Sequence, residues 1–155
     1  VLFRSPELGG GALGDLGTYC VHWCRTVAGS EPEVRSVSRD VHAGGVDLAT
    51  RAELSFPGGV QATIACDMRG PMTARLKVKG AGGELTVINP LAPQAGHLIR
   101  LKVAGDVRTE TVDQVTTYEG QLAAFVRAVR TGDAPITSGQ DTVAQMRVLD
   151  AIRAS

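Results

Sequence analysis

Asp15, Tyr19 and His22 follow one another at steps of four and three residues, the spacing that sets side chains on one stripe of a helix. A carboxylate, a phenol and an imidazole on one stripe can grip and deprotonate a substrate hydroxyl. A solvated polar face has the same spacing, so the pattern leaves both readings open. Just before them, Gly9-Gly10-Gly11-Ala12-Leu13-Gly14 satisfies G-x-G-x-x-G. A dinucleotide fingerprint needs a parallel strand before the glycines and a crossover to a second parallel strand after them. Here Ser5-Pro6-Glu7-Leu8 precedes the run, and Pro32 stands between Glu31 and Glu33, the acidic residues near the ribose-binding distance. Gly9, Gly10 and Gly11 therefore read first as a turn of little bulk leading into the helix, with phosphate binding as the alternative. Cys20, His22 and Cys24 spell Cys-x-His-x-Cys, but at roughly 100° per residue His22 points away from both cysteines, and no metal site is expected. Three cysteines cannot all pair, so no disulfide framework is expected either.

These residues need elements to position them. Leu13, Leu16, Cys20, Trp23, Cys24 and Val27 recur at helical steps and predict a helix over Ala12–Ala28 with one buried face, closed by Gly29. The Asp15 stripe sits roughly 120° from that face. The middle of the chain carries short runs rich in Val, Ile and Thr, and strands are predicted over Val34–Val41, Leu48–Phe56, Val60–Cys66, Ala74–Lys79, Glu84–Ile88, Leu98–Val103 and Val107–Val112. Glycine and proline turn signals separate them, and spacers this short permit hairpins but no helical crossovers. After Thr117 the helical period returns: Leu122, Phe125, Val126 and Val129 form a stripe ending at Gly132. Pro135 breaks the chain, and a last helix begins near Ser138 or Asp141 with Val143, Met146, Leu149 and Ile152 as its buried face. This order predicts an α+β fold in two layers: an open, largely antiparallel sheet with helices packed on one face. The other sheet face must be solvated, or buried against another domain or subunit.

A chain of 155 residues, 43% hydrophobic, fits one globular domain. Sixteen basic and 16 acidic residues leave no field of one sign, which disfavours nucleic acid and anionic membranes and favours small-molecule or protein partners. No long apolar run or signal-like N-terminus is present, and a cytoplasmic location is expected. His42 and His97 have no partner motif, and Asp67, Arg69 and Arg75 read as solvated charge. Val1-Leu2-Phe3-Arg4-Ser5 does not continue into the pattern that follows and back-translates to the tail of a common sequencing adapter. Residues 1–5 are therefore expected to be a scar and residues 6–155 the domain. The chain lacks an initiator Met and stops at Ser155 in mid-helical pattern, so a fragment is expected.

The block from Pro6 through Gly9-Gly10-Gly11-Ala12-Leu13-Gly14-Asp15-Leu16-Gly17-Thr18-Tyr19 resembles the opening of the C-terminal domain in the glucose-fructose oxidoreductase, inositol dehydrogenase and rhizopine-catabolism (Gfo/Idh/MocA) family. Further similarity runs through Val46-Asp47, Phe56-Pro57-Gly58-Gly59-Val60, Gly82-Gly83-Glu84-Leu85, Asn89-Pro90, Tyr118, Gln121-Leu122, Phe125 and Asp150-Ala151-Ile152. The resemblance covers Pro6 to Ser155. It implies a two-domain oxidoreductase in which an N-terminal Rossmann domain binds NAD or NADP, and this chain supplies an open sheet and part of the active site. It further implies that Asp15 and Tyr19 take the catalytic positions beside the nicotinamide, with a lysine from the nucleotide domain. His22 falls where many relatives carry Asp or Asn, and its implied part is substrate binding. Tyr19 resembles the Tyr branch, which includes glucose-fructose oxidoreductase and the dihydrodiol and xylose dehydrogenases. A sugar, polyol or diol substrate and association into a homo-oligomer through the open sheet face follow from the same resemblance. A free tyrosine titrates near ~10 and needs nearby positive charge to act as a base at neutral pH, which the lysine and an oxidised nicotinamide would supply. Two other readings remain: a non-catalytic binding or oligomerisation module that kept the fold, and a dinucleotide-binding domain using Gly9 to Gly14.

Overall fold

The computed structural model describes residues 5–112 and 115–155, so the adapter reading falls, except for Ser5, outside the described residues. All seven predicted strands form: β1 (Glu33–Val41), β2 (Asp47–Ser55), β3 (Gln61–Asp67), β4 (Arg75–Gly80), β5 (Gly83–Ile88), β6 (Leu98–Val103) and β7 (Asp106–Glu110). Three α-helices accompany them among the described residues: α1 (Thr18–Ala28), α2 (Thr117–Thr131) and α3 (Gly139–Ala154). Every strand pair among the described residues is antiparallel, and the fold is α+β with open sheets, as the short glycine and proline turns required.

The strands form two sheets rather than one continuous meander. One has the order β1-β2-β3 and the other β4-β5-β6-β7. Met68 to Ala74 separates them, and the run through Gly70-Pro71 makes no ladder, since proline lacks the amide that pairing needs. The chain divides accordingly into two compact units, Val1–Pro71 with Thr137–Ser155, and Met72–Ile136.

The first unit contains the core. Along β2, Thr50, Ala52 and Leu54 are buried while Arg51 and Glu53 are exposed, a two-residue alternation that turns one sheet face inward. Ile64 and Cys66 of β3 share that face, registered opposite Ala52 and Thr50. α1 and α3 cover it, contributing Val21, Val148, Leu149 and Ile152 to the cluster with Leu13, Leu54, Phe56 and Ile64.

Both helices meet this core at a phase different from the predicted one. On α3 the buried positions are Gln145, Val148, Leu149 and Ile152, while Val143 and Met146 are exposed. On the first helix the buried positions are Leu13, Gly17, Val21 and Arg25, whereas Val27 is exposed and Cys20, Trp23 and Cys24 are half-buried. A π-helical turn over Leu13–Gly17 shifts the phase, because i→i+5 bonding widens the turn and keeps every fourth residue inward. The reading from apolar residues alone also passed over Gln145 and Arg25, the polar pair that occupies the inward phase.

In the second unit β4 to β7 form a simple meander, with Leu76, Val78, Leu85, Val87, Ile99 and Leu101 half-buried. α2 begins with a capping box, in which Thr116 and Glu119 satisfy each other's backbone amides, and ends at Gly132 in the left-handed conformation. Its predicted apolar stripe is not buried. Leu122 is 63% and Phe125 64% exposed, and no residue of α2 is buried. The helical spacing foretold the stripe but not its exposure.

Candidate active site

The chain reaches the site through a single 3-10 turn, Pro6–Leu8, and then the glycines. Gly9 adopts a left-handed conformation and Gly11 has φ +119°, a region closed to other residues. A Cβ on Gly11 would also overlap the Asp47 carboxylate. The glycines thus form a tight turn pressed against the start of β2, and the Asp15 amide donates back to the Gly11 carbonyl at 3.1 Å as the helix begins. The context of the fingerprint is missing downstream: the helix leads into β1, and no strand pair among the described residues is parallel.

Two anchors hold the helix start. The Leu13 amide donates to Asp47 Oδ2 at 2.8 Å, and the buried Thr50 hydroxyl donates to the same oxygen at 2.6 Å. Gly17 lies against β3, where a Cβ would come within 3.1 Å of Cys66 Sγ. Asp15 and Tyr19 fall midway between the buried positions Leu13, Gly17 and Val21, and so face outward. Tyr19 is 45% exposed; Asp15 and His22 are half-buried. Among the described residues no hydrogen bond engages the Tyr19 phenol, the Asp15 carboxylate or the His22 ring. The three polar groups are thus presented on one fixed helix with their bonding capacity free.

The far half of α1 is locked to α3. The Arg25 guanidinium bonds Glu31 through Nε at 2.8 Å and Nη2 at 2.7 Å, reaches Asp141 at 2.9 Å, and donates to Gln145 Oε1 at 3.0 Å. Gln145 in turn donates to the Thr18 carbonyl at 2.8 Å. The Arg25 bond holds the Glu31 carboxyl below its usual range. Neither this network nor the Asp47 anchor was found from sequence. Phasing α3 on Gln145-x-x-Val148-Leu149-x-x-Ile152 would have pointed to the network; Asp47 was marked only by the Val46-Asp47 match to the family, which carries no sign of the amide it accepts.

The cysteines pack rather than react. Burial pushes the Cys24 thiol up to about 11 and Cys66 up to about 12, and raises Cys20 as well. Among the described residues no group of three or more His, Cys, Asp or Glu side chains could hold a metal ion. His97, unassigned from sequence, ties a loop: its Nε2 accepts the Val112 amide at 2.7 Å, and Nδ1 lies 3.1 Å from the Pro93 carbonyl. Arg69 bridges Asp40 and Asp67 at an exposed sheet end.

Fold and site together define an α+β domain that presents a carboxylate and a phenol on a helix anchored to an open antiparallel sheet. The profile described as the GFO/IDH/MocA C-terminal domain matches residues 2–86, and the chain belongs to that family. It is 32% identical over 151 residues to D-xylose 1-dehydrogenase (NADP(+)) 2 of Haloferax volcanii, an alignment covering 96% of this chain and 46% of that protein. It is 37% identical over 82 residues to trans-1,2-dihydrobenzene-1,2-diol dehydrogenase of Macaca fuscata fuscata, covering 52% of this chain and 25% of that protein. The aldose-aldose oxidoreductase of Caulobacter crescentus, solved with glycerol, superposes with a TM-score of 0.90 at 24% identity, over 99% of this chain and 48% of that one. This chain thus spans about half the length of the xylose dehydrogenase and of the structural neighbour. No helix among the described residues is long and apolar enough to cross a membrane.

Proposed function

We propose that this chain is the substrate-side portion of a cytoplasmic oxidoreductase that moves hydride between the hydroxyl-bearing carbon of a sugar, polyol or diol and NAD or NADP. The observation that carries this reading is Tyr19: a phenol 45% exposed and free of hydrogen bonds, four residues after Asp15, on a helix fixed to the sheet at Asp47 and to α3 at Arg25. Tyr19 takes the proton from the substrate hydroxyl, and the carbon loses its hydrogen with the bonding electron pair as the carbonyl forms; in reduction Tyr19 returns the proton. Asp15 accepts a hydrogen bond from a neighbouring hydroxyl and orients the ring or chain, and His22 grips a further oxygen. The nicotinamide supplies the hydride acceptor when bound. Its nucleotide is assigned to an N-terminal Rossmann domain, a reading supported by the helix after Gly9–Gly14 leading into antiparallel strands, with no parallel pair among the described residues to form a phosphate cradle. The names of the xylose and dihydrodiol dehydrogenases support the substrate class, and the former supports NADP.

The outer face of β1-β2-β3, where Arg51, Glu53, Thr63 and Ala65 are exposed, supports association into a homo-oligomer through the open sheet. The reading is tested by following nicotinamide absorbance with a panel of aldoses and diols, for this chain alone and for the polypeptide joining it to the nucleotide-binding half. The joined protein should turn over and the chain alone should not. Tight NADP binding by the chain alone would overturn the assignment in favour of the glycine run. Normal turnover by Asp15→Asn would remove Asp15 from the site.

A further inference from the structure

A helix start leaves its first amides without partners inside the helix, and the residue at the N-cap normally answers one of them with a side-chain oxygen. Here that position is Ala12, which has no such oxygen, and the glycines before it have no side chains at all. The acceptor comes instead from 34 residues away in sequence, on another element: Asp47 Oδ2 takes the Leu13 amide at 2.8 Å. The same oxygen takes the hydroxyl of Thr50, which is 2% exposed on the sheet's inner face and holds the carboxylate in one orientation. Gly11 is packed so closely on Asp47 that no side chain fits between them.

A cap supplied by the preceding residue travels with its helix. A cap supplied by β2 fixes where the helix stands on the sheet. We infer that Asp47 is a positioning residue for the Asp15 and Tyr19 groups, setting the π-helical start from which both project; this rests on the function proposed above. Leu13 is two residues from Asp15, and the other ties, through Arg25 and Gln145, act at Thr18 and beyond. Across that start the buried Leu13 side chain and the close Gly17 approach supply packing, and the bond to Asp47 Oδ2 is the side-chain hydrogen bond that fixes its register on β2. A negative charge at this end also suits the helix dipole. Small misplacements of reacting groups, on the order of 1 Å, cost about 100-fold in rate, so loss of this tie should appear in turnover rather than in cofactor affinity.

The choice of the same oxygen by both donors makes the test specific. In Asp47→Asn the amide carbonyl can take the place of Oδ2 and keep both bonds, whereas Asp47→Ala keeps neither. In the protein that includes the nucleotide-binding half, Asp47→Ala should lower kcat about 10- to 100-fold, with the cofactor Kd unchanged. Asp47→Asn should recover most of that loss, and Thr50→Val, which preserves shape, should give a smaller loss of the same kind should Asp47→Ala fail to fold. Amide hydrogen exchange at Leu13 supplies a readout independent of turnover: faster in Asp47→Ala and near wild type in Asp47→Asn. Exchange and kcat within twofold of wild type in Asp47→Ala, beside a Tyr19→Phe variant that is inactive, would overturn the inference and leave the function standing. Faster Leu13 exchange beside a fully active Tyr19→Phe would overturn the function while leaving the anchor in place.

Discussion

Replacing Arg25 with methionine keeps a side chain close to the length of the aliphatic stem and much of its apolar packing while removing the guanidinium that joins α1 to α3. The wild-type side chain is 6% exposed and serves Glu31, Asp141 and Gln145 at once. Gln145, itself only 9% exposed, loses the donor to its Oε1, which costs roughly 1–3 kcal/mol when the group stays dry. The two carboxylates suffer less than the roughly 3–5 kcal/mol of a fully buried pair broken on one side. Asp141 is 26% and Glu31 55% exposed, so water replaces much of what they lose. Together these give a destabilisation of about 2 kcal/mol, or a fall in Tm on the order of 8–16 °C for a unit of this size. Trp23, the one tryptophan, lies in α1, so its fluorescence during urea unfolding reports the unit containing the network. Adding Gln145→Leu should cost less in the Arg25→Met background than in the wild type, since the two residues share one bond. A loss below about 0.5 kcal/mol would mean that the cluster behaves as an exposed ion pair, and the account of how α1 is held would be wrong.

Gly17→Ala should destabilise by roughly 1–3 kcal/mol, because the new methyl would lie 2.9 Å from Leu13 Cδ1 and 3.1 Å from Cys66 Sγ; the cost, read from urea midpoints, should be relieved only in part by Cys66→Ala, since the Leu13 contact remains. Glu31 is held below its ordinary 4.5, so the folded state binds fewer protons than the unfolded chain near that pH. The stability it contributes is present above 4.5 and lost as pH falls through the lowered value, so the urea midpoint should drop on acidification and drop less in Glu31→Gln. With Cys24 near 11 and Cys66 near 12, a thiol-specific reagent at mildly alkaline pH should label the folded protein slowly and label fast on unfolding; burst labelling of either would contradict the burial described.

The strand pattern was legible because it rests on local chemistry: alternation in β2 and β3, and turn residues such as Pro57-Gly58-Gly59 and Gly82-Gly83, fix pairing over a few residues. Helix ends were legible for the same reason, with Gly29 and Gly132 closing α1 and α2 and Ser138 capping α3. Helix phase was not. The π-turn at Leu13–Gly17 is not encoded by any helical period in the residues, and with it the buried positions fall at Val21 and Arg25 rather than at Cys24 and Val27. Reading apolar residues alone could not anticipate that a guanidinium and an amide would fill the inward phase together, since each is tolerated there only because of the other. Asp15 and Tyr19 were visible as a pair because both lie on one helix. Asp47 was not, because its partner is an amide 34 residues away.

The central claim is that the Tyr19 phenol exchanges a proton with substrate, and the most direct measurement is single-turnover hydride transfer in the joined protein carrying Tyr19→Phe. Removing only the hydroxyl leaves ring, helix and anchors intact. The transfer rate should fall at least about 100-fold while cofactor Kd stays within twofold. A transfer rate equal to wild type would show that the proton moves elsewhere and would contradict the account.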